Sequence, residues 1–190
     1  MAKLHFYYSA MNAGKSTLLL QSSHNYKERG MDTLIFLPKV DTRSEGKVSS
    51  RIGLSADAIN FDPNDNIYRM TADATAKNQN IRCILLDEAQ FLTQMQVKQL
   101  CEITDQLNIP VLAYGIRTDF QAEPFPGSLY LLAWADILIE IKTICFCGSK
   151  AIMNQRIDEQ GRPIKIGEQI EIGGNERYIA TCRKHFKFPL

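Results

Sequence analysis

An α/β fold, a parallel sheet with helices on both faces, is predicted by two observations, and a third adds a small β-rich appendage. Short apolar runs recur through residues 1–144, and stretches with helical spacing separate them. After Ile144 the character changes to short alternating segments (QRIDE, EQIEIGG, ERYIATC) broken by Gly and Pro, the pattern of small antiparallel strands. The predicted division is therefore 1–144 for the α/β unit and 145–190 for the appendage.

The apolar runs in order are LHFYY (Leu4 to Tyr8), TLIFL (Thr33 to Leu37), IRCILLDE (Ile81 to Glu88), PVLAYGI (Pro110 to Ile116) and DILIEI (Asp136 to Ile141). Each is short and nearly continuous, as expected of a strand buried on both sides. A helix is predicted from Ser16 to Arg29, stopped by Gly30, and another from Thr93 to Leu107, where Val97, Leu100, Cys101, Thr104 and Leu107 form one stripe. A third runs from Thr71 to Gln79, and in LLAWAD the indole of Trp134 is read as helix packing. Asp41 to Asn66 is polar, with Gly46, Gly53 and Pro63, and reads as a mobile loop with a short strand or two. Strands alternating with helices imply right-handed crossovers, and ligands then bind at the carboxyl ends of the strands.

Charge narrows the function classes. Lys and Arg total 22 against 21 Asp and Glu, so no broad positive field advertises nucleic-acid binding, and a small-molecule partner is expected. The N-terminal apolar stretch is too short for a signal peptide, and no run approaches the roughly 20 apolar residues of a membrane span. A soluble, cytoplasmic protein is expected, and an odd count of five cysteines suits a reducing compartment.

The stretch SAMNAGKST, Ser9 to Thr17, lies between an apolar run and a helical pattern. It fits the phosphate-loop spacing G-x-x-x-x-G-K-[ST] except that Ser9 stands at the first glycine. Ser9 can make the bend if its φ stays negative. In such a loop the backbone amides of Ser9, Ala10, Met11, Asn12, Ala13 and Gly14 face the phosphates, and Lys15 neutralises the outer ones. Ser16 would place its hydroxyl on magnesium. Gly-Lys-Ser also occurs by chance; the strand before it and the helix after it favour the triphosphate reading.

Seventy-odd residues on, ILLDEAQF ends an apolar strand in two acids. Consecutive strand residues point to opposite sides, so Asp87 is assigned to magnesium and Glu88 to the acceptor, as the base that takes a hydroxyl proton. A solvated strand end is the bland alternative. At this point the residues do not separate a kinase from an ATPase that orients water.

In the tail, Cys145 and Cys147 form C-x-C, and Cys182 with His185 forms C-x-x-H. Three thiolates and an imidazole make a closed tetrahedral zinc site, structural rather than catalytic, that would staple an appendage too small for its own core. The competing reading is incidental thiols beside a basic RKHFK terminus. Cys83 and Cys101 read as core residues, and His5 and His24 have no assigned role.

With these motifs placed, the chain resembles the thymidine kinases of the cytosolic, P-loop-containing type, the enterobacterial ones in particular. The resemblance rests on SAMNAGKST, VDTR, VSSRIG, LLDEAQFL, YGIRTDF, KTICFCG, IGGNERY and CRKH, and spans nearly the whole chain. It implies transfer of the ATP γ-phosphoryl to the 5′-hydroxyl of thymidine, with magnesium and a structural zinc. It also implies that Asp41 and Arg43 lie near the phosphates, and that Phe91, Ile116, Phe120 and Phe125 line the thymine pocket. Tyr178 would contact the nucleoside. A zinc-anchored loop called the lasso, here containing Ile170, Ile172, Gly173 and Gly174, would supply backbone hydrogen bonds. Arg43 or Arg51 would help to offset charge on the moving group. A homotetramer and inhibition by dTTP are further implications. Two departures stand out: Ser9 at the first glycine, and C-x-C where many relatives carry C-x-x-C. The rivals from other classes are an ATP-driven nucleic-acid-binding protein with a zinc ribbon, and a nucleotide-gated interaction module; neutral charge counts against the first and Glu88 against the second.

Overall fold

The structure is a computed structural model that describes residues 1–39, 46–50, 52–170 and 177–189. Asp41, Arg43, Arg51, Ile172, Gly173 and Gly174 lie outside the described residues.

Five longer strands and one short one form the main sheet: β1 (Leu4–Ser9), β2 (Asp32–Pro38), β5 (Ile59–Phe61), β6 (Ile81–Leu86), β7 (Val111–Ile116) and β8 (Ile137–Glu140). All neighbours pair in parallel, in the order β5-β2-β6-β7-β1-β8. Chain order jumps on either side of β1, which puts the first strand inside the sheet, its carboxyl end beside that of β7 and one strand away from that of β6.

The side-chain alternation of each strand supplies two cores at once. Leu4, Phe6, Ile84, Leu86, Val111 and Ala113 face α2 (Ile67–Lys77), α3 (Gln94–Glu102) and α4 (Pro126–Trp134). Cys83, Leu85 and Tyr114 face the other way, against Leu19 and Leu20 of α1 (Lys15–Glu28), where Val48 of the hairpin β3 (Lys47–Ser49) and β4 (Ser55–Asp57) joins them. Each fully buried large apolar side chain contributes about 1.5–3 kcal/mol, so a strand that feeds both cores is held from both faces.

Local chemistry fixes the helix ends. Gly30, at φ 71°, ends α1 in a Schellman turn, with its N–H on Lys27 O and that of Met31 on Tyr26 O. Thr93 opens α3 in a reciprocal capping box with Gln96. The predicted helix from Thr71 starts four residues earlier, because the Asn66 side chain accepts from Arg69 N and caps Ile67; Thr71 is fully buried in mid-helix. The predicted helix to Leu107 is α only to Glu102 and continues as a π-helical turn over Ile103–Leu107. Trp134 ends α4 half exposed, its ring 5.8 Å from Lys98 Nζ, so it is not the packed indole that was expected.

The appendage is built of short antiparallel pairs: β9 (Thr143–Ile144) with β10 (Lys150–Ala151), and β11 (Met153–Ile157) between β12 (Pro163–Ile164) and β13 (Tyr178–Thr181). A short helix, α5 (Arg183–Lys187), follows β13. Among the described residues no helix is long and apolar enough to cross a membrane.

Candidate active site

β1 delivers the phosphate-loop sequence to the carboxyl edge of the sheet. Ser9 ends the strand, pairs with Ile116 and avoids positive φ, so a serine at the first glycine position costs no backbone strain. Its hydroxyl donates to Ala10 O at 2.6 Å and accepts from Lys15 Nζ at 3.1 Å. The buried Lys15 ammonium also reaches Ala10 O at 3.2 Å, so the side chain arcs over the loop. The loop turns twice through left-handed backbone, at Asn12 (φ 64°) and at Gly14 (φ 82°). Gly14 precedes the first turn of α1 and has no side chain with which to cap it, unlike Asn66 and Thr93 at α2 and α3. A helix start that no side chain caps, behind a loop of this kind, is the arrangement that binds phosphate.

Across from this loop, Ser16 Oγ donates to Asp87 Oδ2 at 2.7 Å. Asp87 is 3% exposed, and burial together with the adjacent Glu88 carboxylate pushes its pKa up to about 7. A dication reverses that shift. A hydroxyl beside a carboxylate is the oxygen donor set that magnesium takes, so the pair fits the ion.

The predicted strand to Glu88 stops at Leu86. Asp87 N–H still bonds to Phe36 O, but Glu88 takes a left-handed conformation (φ 51°), which for a glutamate costs about 1 kcal/mol. That turn, and not strand pleat, separates the directions of the two carboxylates. Gln90 holds the result: its Nε2 donates to Glu88 Oε2, while its Oε1 accepts from Ile116 N at 3.2 Å. Gln90 lies in the 3-10 turn Ala89–Phe91 and is 2% exposed. α4 presses on this turn through Gly127, where an added Cβ would sit 2.5 Å from Ala89 O and 2.8 Å from Gln90 O.

The expected pocket residues fall on the same edge. Ile116 ends β7, Phe91 ends the 3-10 turn, and Phe125 stands at the start of α4, with the Phe91 and Phe125 rings edge to face at 5.8 Å. Phe120 and Tyr178 are buried, and Arg156 lies against both rings. Ile170 is 44% exposed.

Two buried side chains of β11 tie the appendage to this edge. Asn154 Oδ1 accepts from Met11 N in the phosphate loop, and its Nδ2 donates to Thr118 O, both at 2.7 Å. Because a backbone N–H only donates and a carbonyl only accepts, the amide orientation is fixed. Arg156, two residues on, reaches the aromatic side of the same edge. Nothing in the alternating QRIDE segment, or in the asparagine just before it, signals that Asn154 and Arg156 are interior. Gln90 likewise sits unremarked within LLDEAQF. The residue identities are ordinary; burial alone gives them their roles.

The four predicted metal ligands gather. Their donor atoms lie within 4.8 Å of one another, with Cys145 Sγ and Cys182 Sγ each 3.4 Å from His185 Nδ1 and Cys147 Sγ 3.9 Å from Cys182 Sγ. Zinc–sulfur bonds of about 2.3 Å in a tetrahedron put sulfurs about 3.8 Å apart, so the cluster could hold zinc. The C-x-C pair closes because Cys145 N–H bonds to Ser149 O and Gly148 N–H to Cys145 O in a tight β9–β10 turn. Hydrogen bonding to Ser149, then to Cys145 and Cys182, draws the Cys147 thiol down to about 6, toward the thiolate a metal requires.

A family model for thymidine kinase matches residues 2–186 of the chain. The chain belongs to the thymidine kinase family. It is 68% identical over 188 residues to the thymidine kinase of Coxiella burnetii, covering 98% of this chain and 96% of that one. The thymidine kinase of Salmonella typhimurium is 60% identical over 191 residues, covering all of this chain and 93% of its own length. Among solved structures, an ATPase domain superposes with a TM-score of 0.50 at 14% identity, over 73% of this chain and 68% of the other. That likeness speaks to the P-loop fold alone.

Proposed function

We propose that Glu88 takes the proton of the 5′-hydroxyl of thymidine as the γ-phosphoryl of ATP is transferred to it, giving dTMP and ADP. The observation that carries this reading is the Ser16–Asp87 hydrogen bond, which joins the phosphate loop to the acid turn and leaves the neighbouring carboxylate, Glu88, held by Gln90. The loop amides from Ser9 to Gly14 bind the phosphates, and Lys15 neutralises the outer ones. Ser16 and Asp87 would hold magnesium, which supplies charge neutralisation between the phosphates. Asp41 and Arg43 assist at the phosphates. Glu88 leaves the strand in its own direction and faces the acceptor, and general-base help of this kind is worth about a hundredfold to ten-thousandfold.

Phe91, Ile116, Phe120 and Phe125 supply flat apolar area for the pyrimidine, Tyr178 meets the nucleoside, and the lasso with Ile170, Ile172, Gly173 and Gly174 would supply backbone hydrogen bonds to it. Cys145, Cys147, Cys182 and His185 hold a structural zinc that anchors the lasso. The same reading covers a division into 1–144 and 145–190, a homotetramer and a cytoplasmic location. The test is a nucleoside screen with ATP. Thymidine-dependent ADP release that vanishes in Lys15→Ala supports it; release stimulated by single-stranded DNA and not by thymidine overturns it.

A further inference from the structure

Arg156 is 2% exposed, on the middle strand of the appendage. Taking a guanidinium out of water is costly unless it is well paired, so its contacts have to be well aimed. Among the described residues they converge from separate parts of the chain. Its Cζ lies 3.8 Å from the centre of the Phe120 ring, on the loop that follows β7. Its Nε and Nη2 both donate to Tyr178 Oη on β13, at 3.0 and 2.8 Å. Its Nη2 also donates to Glu168 O at 2.9 Å, in the segment that leads toward Ile172. That segment is tied to the Phe120 loop twice more, by Gln169 Nε2 on Asp119 Oδ2 at 2.9 Å and by Gln121 Nε2 on Lys165 O at 3.3 Å. Gly167 packs so close that a Cβ there would lie 3.1 Å from Arg156 Nη1.

We infer that Arg156 is the positioning residue of the nucleoside pocket, setting the spacing between Phe120 and Tyr178 and anchoring the Tyr178 ring by its hydroxyl oxygen. This rests on the reading that Phe120 and Tyr178 line that pocket. Two N–H groups directed at one phenol oxygen occupy its lone-pair side, so the phenol hydrogen points away from the guanidinium. Only a planar fork can bond one oxygen twice, reach a carbonyl and lie flat on a ring; a lysine ammonium in the same place cannot. Arg156 acts through Phe120, Tyr178 and the base of the lasso, so its effect falls on the nucleoside side of the reaction.

The test compares Arg156→Lys, Arg156→Ala, Tyr178→Phe and the double variant Arg156→Lys/Tyr178→Phe, reading KM for thymidine, KM for ATP, kcat and Tm. Arg156→Lys is expected to raise thymidine KM about tenfold or more with ATP KM within about twofold, and the double variant to be no worse than the worse single one. Added guanidinium chloride at millimolar concentration should recover thymidine affinity in Arg156→Ala, a rescue that works even where the variant is less stable. Thymidine and ATP KM rising together as Tm falls, additive single effects, or no rescue would overturn the inference. Phe120→Ala serves as the control: a raised thymidine KM there with an unaltered one in Arg156→Lys sinks the role of Arg156 alone, whereas no effect in either sinks the pocket as well.

Discussion

Ser16 and Asp87 meet at 2.7 Å although 71 residues separate them in the chain. The bond joins the start of α1 to the residue just past β6, and it pairs a helix-start hydroxyl with a buried carboxylate. Each partner alone would be commonplace; together, at the carboxyl edge of a parallel sheet, they form an oxygen donor pair that fits the magnesium of the proposed reaction.

Asp87 makes a pH-dependent cost that can be read directly. Its pKa rises from the ordinary 3.8 to about 7 in the folded chain. Below about pH 4 both states are protonated and nothing is lost; between about 4 and 7 the unfolded chain ionises first, so stability falls as pH rises, and the loss is constant above about 7. Asp87→Asn in EDTA should therefore gain Tm over the parent by a few degrees at about pH 8 and by much less at about pH 5, while turnover with magnesium falls by roughly a thousandfold. An equal Tm difference at both pH values would refute the burial account.

Glu88→Gln should lower kcat by about a hundredfold or more, the range of general-base help, with thymidine KM changed only a few-fold. Steady-state kinetics decides it: a raised KM with kcat intact contradicts the base role.

Gly127 faces the acid turn with no room for a methyl group. Gly127→Ala must displace Ala89 O or Gln90 O, and a cost of about 1–3 kcal/mol is expected from the overpacking. Because Gln90 orients Glu88, kcat should fall along with the urea midpoint; a stable variant of full activity would show that the turn is free to shift.

Asn154→Leu leaves Met11 N and Thr118 O without their partner. Loss of stability of about 1–3 kcal/mol follows if both are buried without water. Since Met11 belongs to the phosphate loop, ATP KM should rise too, and isothermal titration with ADP checks it.

Chelating the metal should release one zinc per chain, lower Tm by several degrees and raise thymidine KM before ATP KM, because the cluster and β13 share one segment. Mass spectrometry of the native protein supplies the stoichiometry; absence of zinc from folded, active protein would remove the site.

The apolar runs, the helix-stop and phosphate-loop signals and the cysteine spacing were enough to place the sheet, α1, the loop from Ser9 to Ser16 and the cluster of Cys145, Cys147, Cys182 and His185. These depend on local rules: a buried strand must be apolar, Gly30 must end a helix, and an uncapped helix start with an adjacent lysine suits an anion. What only the tertiary structure decided are the features set by contacts between distant segments. Asn66 started α2 four residues before Thr71, Glu88 left the strand through a left-handed turn, and Gln90, Asn154 and Arg156 became interior. A polar side chain carries no mark in sequence of whether its partner waits in solvent or on a distant strand; burial is a property of the assembled chain, and it is burial that turns an ordinary Gln, Asn or Arg into a fixed hydrogen-bonding tool.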